Sequence, residues 1–262
     1  MEAGNPLLDD YVLSLTGKER PKVCFLPSAS GDADHYIVRF YRAFADRADA
    51  SHVSLFRQER EQVRDWHEHL LDQDLIYVGG GSVISLMGVW KAHGLDATLR
   101  RAWRNGAVLC GVSAGSLCWF TDAVSEFHGS AARVEGLGFL PWSNCVHYKA
   151  ARGPQEDPYR RLLKEGMRPG FAAEDGAALH FSGEELVGVV TSRPGAGAYR
   201  MRAVGGRVVR SPLVARYLGE QHEASPGAGR AVASRSAEPL SAARDRRLAA
   251  VAPPAAAAGA GT

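Results

Sequence analysis

The run Ala107-Val-Leu-Cys110 leads straight into Gly111-Val112-Ser113-Ala114-Gly115, and no other stretch restricts the fold of this chain as tightly. A short apolar run closed by a serine between glycines describes a buried strand that turns sharply into a helix. The glycines allow the tight turn, Ala114 leaves the hydroxyl open, and the helix N-terminus aims amides at developing negative charge. The same five residues also fit a plain glycine-rich turn with no chemistry. A second apolar run, Leu75-Ile-Tyr-Val78, closes on Gly79-Gly80-Gly81-Ser82. In a parallel sheet the carboxyl ends of the strands gather ligands, so the two turns can meet there. The second could then supply N–H groups to an oxyanion, or could simply need positive φ. Its glycine spacing matches neither the dinucleotide fingerprint nor the P-loop.

Around these turns, apolar runs alternate with helical patterns. Strands are expected at Lys22–Leu26, 53–56, Leu75–Val78 and 107–110, and helices at 6–15, 34–45, 60–71, 82–93, 96–105 and from Ala114 to Phe120. Such alternation predicts an α/β fold with a doubly wound, mostly parallel sheet covered on both faces. After Gly129 shorter strands follow at 146–148, 179–181, 186–190 and Ala198–Val204, some of them antiparallel, with a helix at 159–165 between. From residue 221 the chain turns to Ala, Arg, Ser, Pro and Gly, a composition that cannot offset its ordering entropy by burial. One domain over 1–220 and a disordered tail over 221–262 are therefore expected.

The 262 residues carry 31 basic and 29 acidic side chains, a net charge of +2, which gives no reason to invoke nucleic acid or an anionic membrane. Residues 1–15 hold Glu2, Asp9 and Asp10 but no basic leader, and no apolar run approaches the roughly 20 residues that span a bilayer. Cys24, Cys110, Cys118 and Cys145 lie far apart and form no CxxC pair, and three of them sit in apolar runs that read as buried. A cytoplasmic setting fits. Neither H-E-x-x-H nor any zinc-like Cys/His spacing occurs, so no metal or cofactor is expected.

A serine nucleophile needs a base. Of nine histidines, His67 and His69 sit on a polar helix, His35, His52 and His93 lack a distinctive setting, and His222 opens the tail. His128, His147 and His180 remain. His147 stands out because it closes the run Phe139-Leu-Pro-Trp-Ser-Asn-Cys-Val146.

From about Pro6 to Leu218 the chain resembles peptidase E, a family of serine dipeptidases related to cyanophycinase. The resemblance lies in Phe25-Leu-Pro-Ser-Ala-Ser-Gly-Asp32, Tyr77-Val-Gly-Gly-Gly81, Cys110-Gly-Val-Ser-Ala-Gly-Ser-Leu-Cys-Trp-Phe120, Gly136-Leu-Gly-Phe-Leu-Pro141, Val146-His-Tyr148 and Glu174-Asp-Gly176, in that order. It implies a fold like that of the class I glutamine amidotransferases and the hydrolysis of short peptides. It further implies Ser113 as nucleophile, His147 as general base, and the amides of Gly80 and Ala114 as oxyanion donors. For the acid that orients the histidine it offers Asp175 or Glu126, with Asp175 favoured. Arg160 and Arg161 fall near a family arginine that holds an N-terminal Asp carboxylate, although surface arginines would read the same way. Ser82 stands where the family commonly has Asn, which leaves selectivity for N-terminal Asp open. Relatives carry a Gly-rich strand ahead of the segment matching Asn5 to Asp10, so either that strand is absent or the true start lies upstream of Met1, which leaves the integrity of the sheet open. A homodimer is compatible with the resemblance. A non-catalytic scaffold and an α/β-hydrolase esterase are the alternatives. A glutamine amidotransferase would need cysteine at position 113.

Overall fold

The structure, a computed structural model, describes residues 1–56, 65–127 and 129–219. Its first half alternates helix and strand: α1 (Leu7–Ser14), β1 (Lys22–Leu26), α2 (Asp34–Phe44), β2 (Asp49–His52), α3 (Trp66–Leu71), β3 (Leu75–Val78), α4 (Val83–Ala92), α5 (Leu95–Arg104), β4 (Val108–Gly111) and α6 (Ala114–Leu117). The four strands pair in parallel in the order β2-β1-β3-β4.

Side-chain alternation explains why both faces of this sheet are covered. Cys24 and Leu26 of β1 and Ile76 and Val78 of β3 pack into one core with Leu86, Trp90 and Leu99 of α4 and α5. Val23, Phe25, Leu75 and Tyr77 point the other way, against Phe40 and Phe44 of α2 and Val12 and Leu13 of α1. Phe25, Phe40 and Phe44 are fully buried, each contributing about 1.5–3 kcal/mol of burial free energy. Helix starts are set by side-chain caps: Asp65 accepts from the amides of His67 and Glu68, and Ser82 from that of Ser85.

The second half adds β5 (Phe120–Ser125), β6 (Ala132–Glu135), β7 (Leu140–Cys145), α7 (Pro158–Lys164), β8 (Gly170–Ala173), β9 (Ala177–Ser182), β10 (Glu185–Thr191), β11 (Ala198–Val204), β12 (Arg207–Pro212) and β13 (Ala215–Tyr217). Among the described residues these form a six-stranded sheet, β12-β11-β8-β7-β5-β6, and a three-stranded one, β13-β10-β9. Its centre, β5-β7-β8, is parallel, while β6, β11 and β12 join antiparallel.

The expected α/β class, doubly wound with a mostly parallel central sheet, is what the chain adopts, but some elements shift. The strand expected at 53–56 lies earlier, at β2, and Val53, Ser54 and Leu55 form a buried loop after it. The helix expected to reach Phe120 stops at Leu117, and Phe120 begins β5. The strand expected at 146–148 ends at Cys145, because His147 takes φ of 54°, which no strand accommodates. The described part of the helix expected at 60–71 is α3; residues 57–64, His128, and the whole proposed tail at 221–262 lie outside the described residues. Among the described residues no helix is long and apolar enough to cross a membrane.

Candidate active site

Parallel register brings the two glycine turns together. Val78 pairs with Gly111, so the residues that follow, Gly80 and Ser113, emerge side by side at the carboxyl end of the sheet. The elbow depends on close backbone contacts. A Cβ on Gly111 would lie 2.2 Å from the carbonyl oxygen of Gly115, and one on Gly115 would lie 2.2 Å from that of Val78. Gly81 has φ of 142°, and a Cβ there would lie 2.1 Å from the Ala29 carbonyl oxygen. Only glycine fits these positions. Ser113 itself has φ of 53° and ψ of −118°, a conformation that costs an ordinary residue on the order of 1–3 kcal/mol and is found at functional turns.

The same logic delivers the histidine. Cys145 of β7 pairs with Ala172 of β8 in parallel register, so His147 and Asp175 leave neighbouring strand ends. The Tyr148 amide donates to the Ala173 carbonyl at 3.0 Å, and the Tyr148 hydroxyl donates to Asp157 at 2.7 Å. Burial and this hydrogen bond to Asp157 hold the Tyr148 phenol above its ordinary pKa, so it stays a donor. The Glu174 carboxylate accepts from the Gly197 amide at 2.9 Å, and Gly176, at φ of 86°, turns the chain after Asp175.

The His147 Nδ1–H donates to Asp175 Oδ1 at 2.5 Å, and His147 Nε2 lies 3.1 Å from Ser113 Oγ. A carboxylate only accepts, so the proton sits on Nδ1 and leaves Nε2 as acceptor for the serine hydroxyl. Both His147 and Asp175 are exposed. The hydrogen bonds among the described residues engage neither the Gly80 amide nor that of Ala114. A Cβ on Gly80 would stand 3.9 Å from Ser113 Oγ, so its backbone borders the hydroxyl.

The remaining sequence candidates are placed apart from this chain of hydrogen bonds. Glu126 shares a cavity wall with Ser113 and His147, but its carboxylate pairs with Arg152 at 3.5 Å. Ser82 is buried as the cap of α4. Arg160 donates to the Val208 carbonyl at 2.9 Å and sits beside Asp157. Arg161 reaches Glu165 and the Ala131 carbonyl. Neither arginine lines the cavity at Ser113.

That cavity has a volume of about 260 Å³ and is bounded by Gly81, Val83, Leu117, Val124, Ser125, Glu126, Phe127 and Val146 as well as the catalytic candidates. Of these walls the sequence reading singled out only Glu126 as a site residue, and it also missed the supporting Tyr148, Asp157 and Glu174. Adjacency to His147 and Asp175 was the available signal for Tyr148 and Glu174; for β5 there was none. Among the described residues no three His, Cys, Asp or Glu side chains cluster to hold a metal ion.

Comparison with known proteins bears on what this arrangement belongs to. The model of peptidase family S51 matches residues 1–189. The chain is 41% identical over 220 residues to the uncharacterized peptidase YgaJ of Bacillus subtilis (strain 168), covering 84% of this chain and 94% of that one. It is 28% identical over 185 residues to peptidase E of Streptomyces coelicolor, covering 63% and 70%. The crystal structure of a peptidase from an acI-B1 Actinobacterium shares the fold, with a TM-score of 0.55 at 18% identity over 79% of this chain and 89% of that one. With a family match across most of its described residues and a near full-length relative, the chain belongs to peptidase family S51 and is a serine-type peptidase.

Proposed function

We propose that the chain is an exopeptidase that hydrolyses short peptides by acyl transfer through Ser113, His147 and Asp175. The observation that carries this reading is the continuous hydrogen-bond line from Ser113 Oγ through both ring nitrogens of His147 to Asp175. His147 Nε2 takes the hydroxyl proton as Ser113 Oγ attacks the scissile carbonyl. Asp175 holds the tautomer and stabilises the imidazolium that forms. The amides of Gly80 and Ala114 donate to the oxyanion, each such donor being worth about 10²–10³ in rate. The imidazolium then protonates the leaving amine, and water, deprotonated by the same nitrogen, releases the acyl group.

The cavity supports a short substrate. Its volume of about 260 Å³ lies near the lower end of small-ligand pockets, roughly 300 Å³, a size that suits the end of a short peptide. An N-terminal Asp would need a cation, yet Arg160 and Arg161 are engaged elsewhere, so strict acidic selectivity is not part of this proposal. The four unpaired cysteines suit a reducing compartment such as the cytoplasm. The test is steady-state hydrolysis of a dipeptide panel by wild type and Ser113→Ala. Loss of all turnover in a folded Ser113→Ala protein is expected; retained turnover would refute the assignment.

A further inference from the structure

We infer that the cavity beside Ser113 takes a first residue with an uncharged, apolar side chain, and that Glu126 receives its free α-ammonium. The inference rests on Ser113 being the nucleophile, because only then does this cavity face the scissile bond.

The argument begins with the walls. Val83, Leu117, Val124, Phe127 and Val146 present aliphatic and aromatic surface to the cavity, and Phe127 keeps 60% of its surface exposed. A side chain seated there gains by leaving water only if it is apolar. No Lys or Arg lines the cavity among the described residues. A carboxylate placed inside would lose hydration with no cation to replace it, which is the costly case for a buried charge.

The nearest cations belong to a neighbouring cleft of about 20 Å³, bordered by Lys149 and Arg152. Arg152 Nη1 lies 3.5 Å from Glu126 Oε1 on the side of that cleft. Glu126 borders both spaces. It therefore presents a negative charge to whatever enters beside Ser113. That charge attracts an α-ammonium and repels an acidic side chain, so one residue supplies both attraction to the free N-terminus and rejection of the wrong substrate. The α-ammonium lies one carbon from the scissile carbonyl, so its anchor must border the same cavity as the nucleophile. Glu126 is the one Asp or Glu to do so among the described residues.

The experiment compares kcat/KM of the purified full chain on Leu-Ala, Asp-Ala and N-acetyl-Leu-Ala, with fluorophosphonate labelling of Ser113 measured in parallel. Leu-Ala should exceed each of the others by about ten-fold or more. Glu126→Gln should raise KM for Leu-Ala by about ten-fold with kcat nearly unchanged, narrow the margin over N-acetyl-Leu-Ala, and leave labelling intact. Phe127 is exposed, so Phe127→Arg should fold normally and shift preference toward Asp-Ala. Asp-Ala cleaved as well as Leu-Ala, or neither cleaved, would overturn the inference while labelled Ser113 keeps the proposed function standing. An unchanged KM in Glu126→Gln would overturn the role of Glu126. Failure to label Ser113 would bring down the underlying reading instead.

Discussion

Gly80 and Ser113 follow a matched pair of parallel-strand positions, Val78 and Gly111, and a Cβ on Gly80 would stand 3.3 Å from the Cβ of Ser113. The site is thus assembled by sheet register, which sets the Gly79-Gly80-Gly81 turn beside the turn that presents Ser113.

Two glycine substitutions separate catalysis from folding. Gly80→Ala meets only side-chain and carbonyl atoms at 3.3 Å or more, so the protein should fold with a melting temperature within a few degrees of wild type. Crowding Ser113 should still lower kcat measurably, by less than the roughly 10²-fold that a misplacement of about 1 Å costs. Gly115→Ala drives a Cβ to 2.2 Å from the Val78 backbone and should cost about 3 kcal/mol in urea unfolding. Equal melting temperatures for the two variants would contradict the packing argument.

The two acidic candidates should differ in kind. Asp175→Asn should lower kcat on the order of 10⁴-fold, since an amide no longer fixes the histidine tautomer. Glu126→Gln, which pairs with Arg152 rather than His147, should act on KM and leave kcat nearly intact. Steady-state kinetics of both variants check this, and a kcat collapse in Glu126→Gln alone would reverse the assignment.

Thiol reagents should leave activity unchanged. Burial pushes the Cys24 thiol up to about 12, and burial likewise raises Cys110, Cys118 and Cys145, the last of which borders the cavity. The reactive thiolate is therefore scarce at neutral pH. Incubation with iodoacetamide followed by assay and peptide mass mapping tests this; inactivation that tracks alkylation of Cys145 would contradict it.

Stability should fall as the solution is acidified, in part through His69. Burial lowers its pKa below the ordinary 6.5, with Asp72 and Asp49 opposing, and its Nε2 lies 2.9 Å from the Ser51 hydroxyl. The unfolded chain then binds the proton first, so stability declines as pH drops below about 6.5 and levels off once the folded state also protonates. Urea melts at about pH 7.5 and about pH 5.5 should show a smaller loss for His69→Gln than for wild type. An equal loss would assign the acid sensitivity elsewhere.

The sequence made the elbow, the Gly79-Gly80-Gly81 turn and His147 legible because each obeys a strict local constraint, a tight turn or a strand end, that few residues satisfy. The choice of Asp175 over Glu126 came from resemblance, since two acids downstream of a serine are equivalent until register puts one beside the histidine. Three of the missed strands share a cause. The Asp-Ala-Ser-His of β2, the Ala-Arg-Val-Glu of β6 and the Arg-Val-Val-Arg of β12 lie at sheet edges, where polar residues are tolerated. In β8, Gly170 sits where a Cβ would lie 1.9 Å from the Ser143 carbonyl oxygen, so its strand character is imposed by neighbours rather than by its own propensity.

The central claim is that Ser113 is the nucleophile activated through His147. Its most direct test is the intact mass and tryptic map of the full chain after reaction with a fluorophosphonate. One adduct per chain, on Ser113, lost in Ser113→Ala and strongly slowed in His147→Ala, is the predicted result. An adduct on another residue, or one that persists in Ser113→Ala, would contradict it.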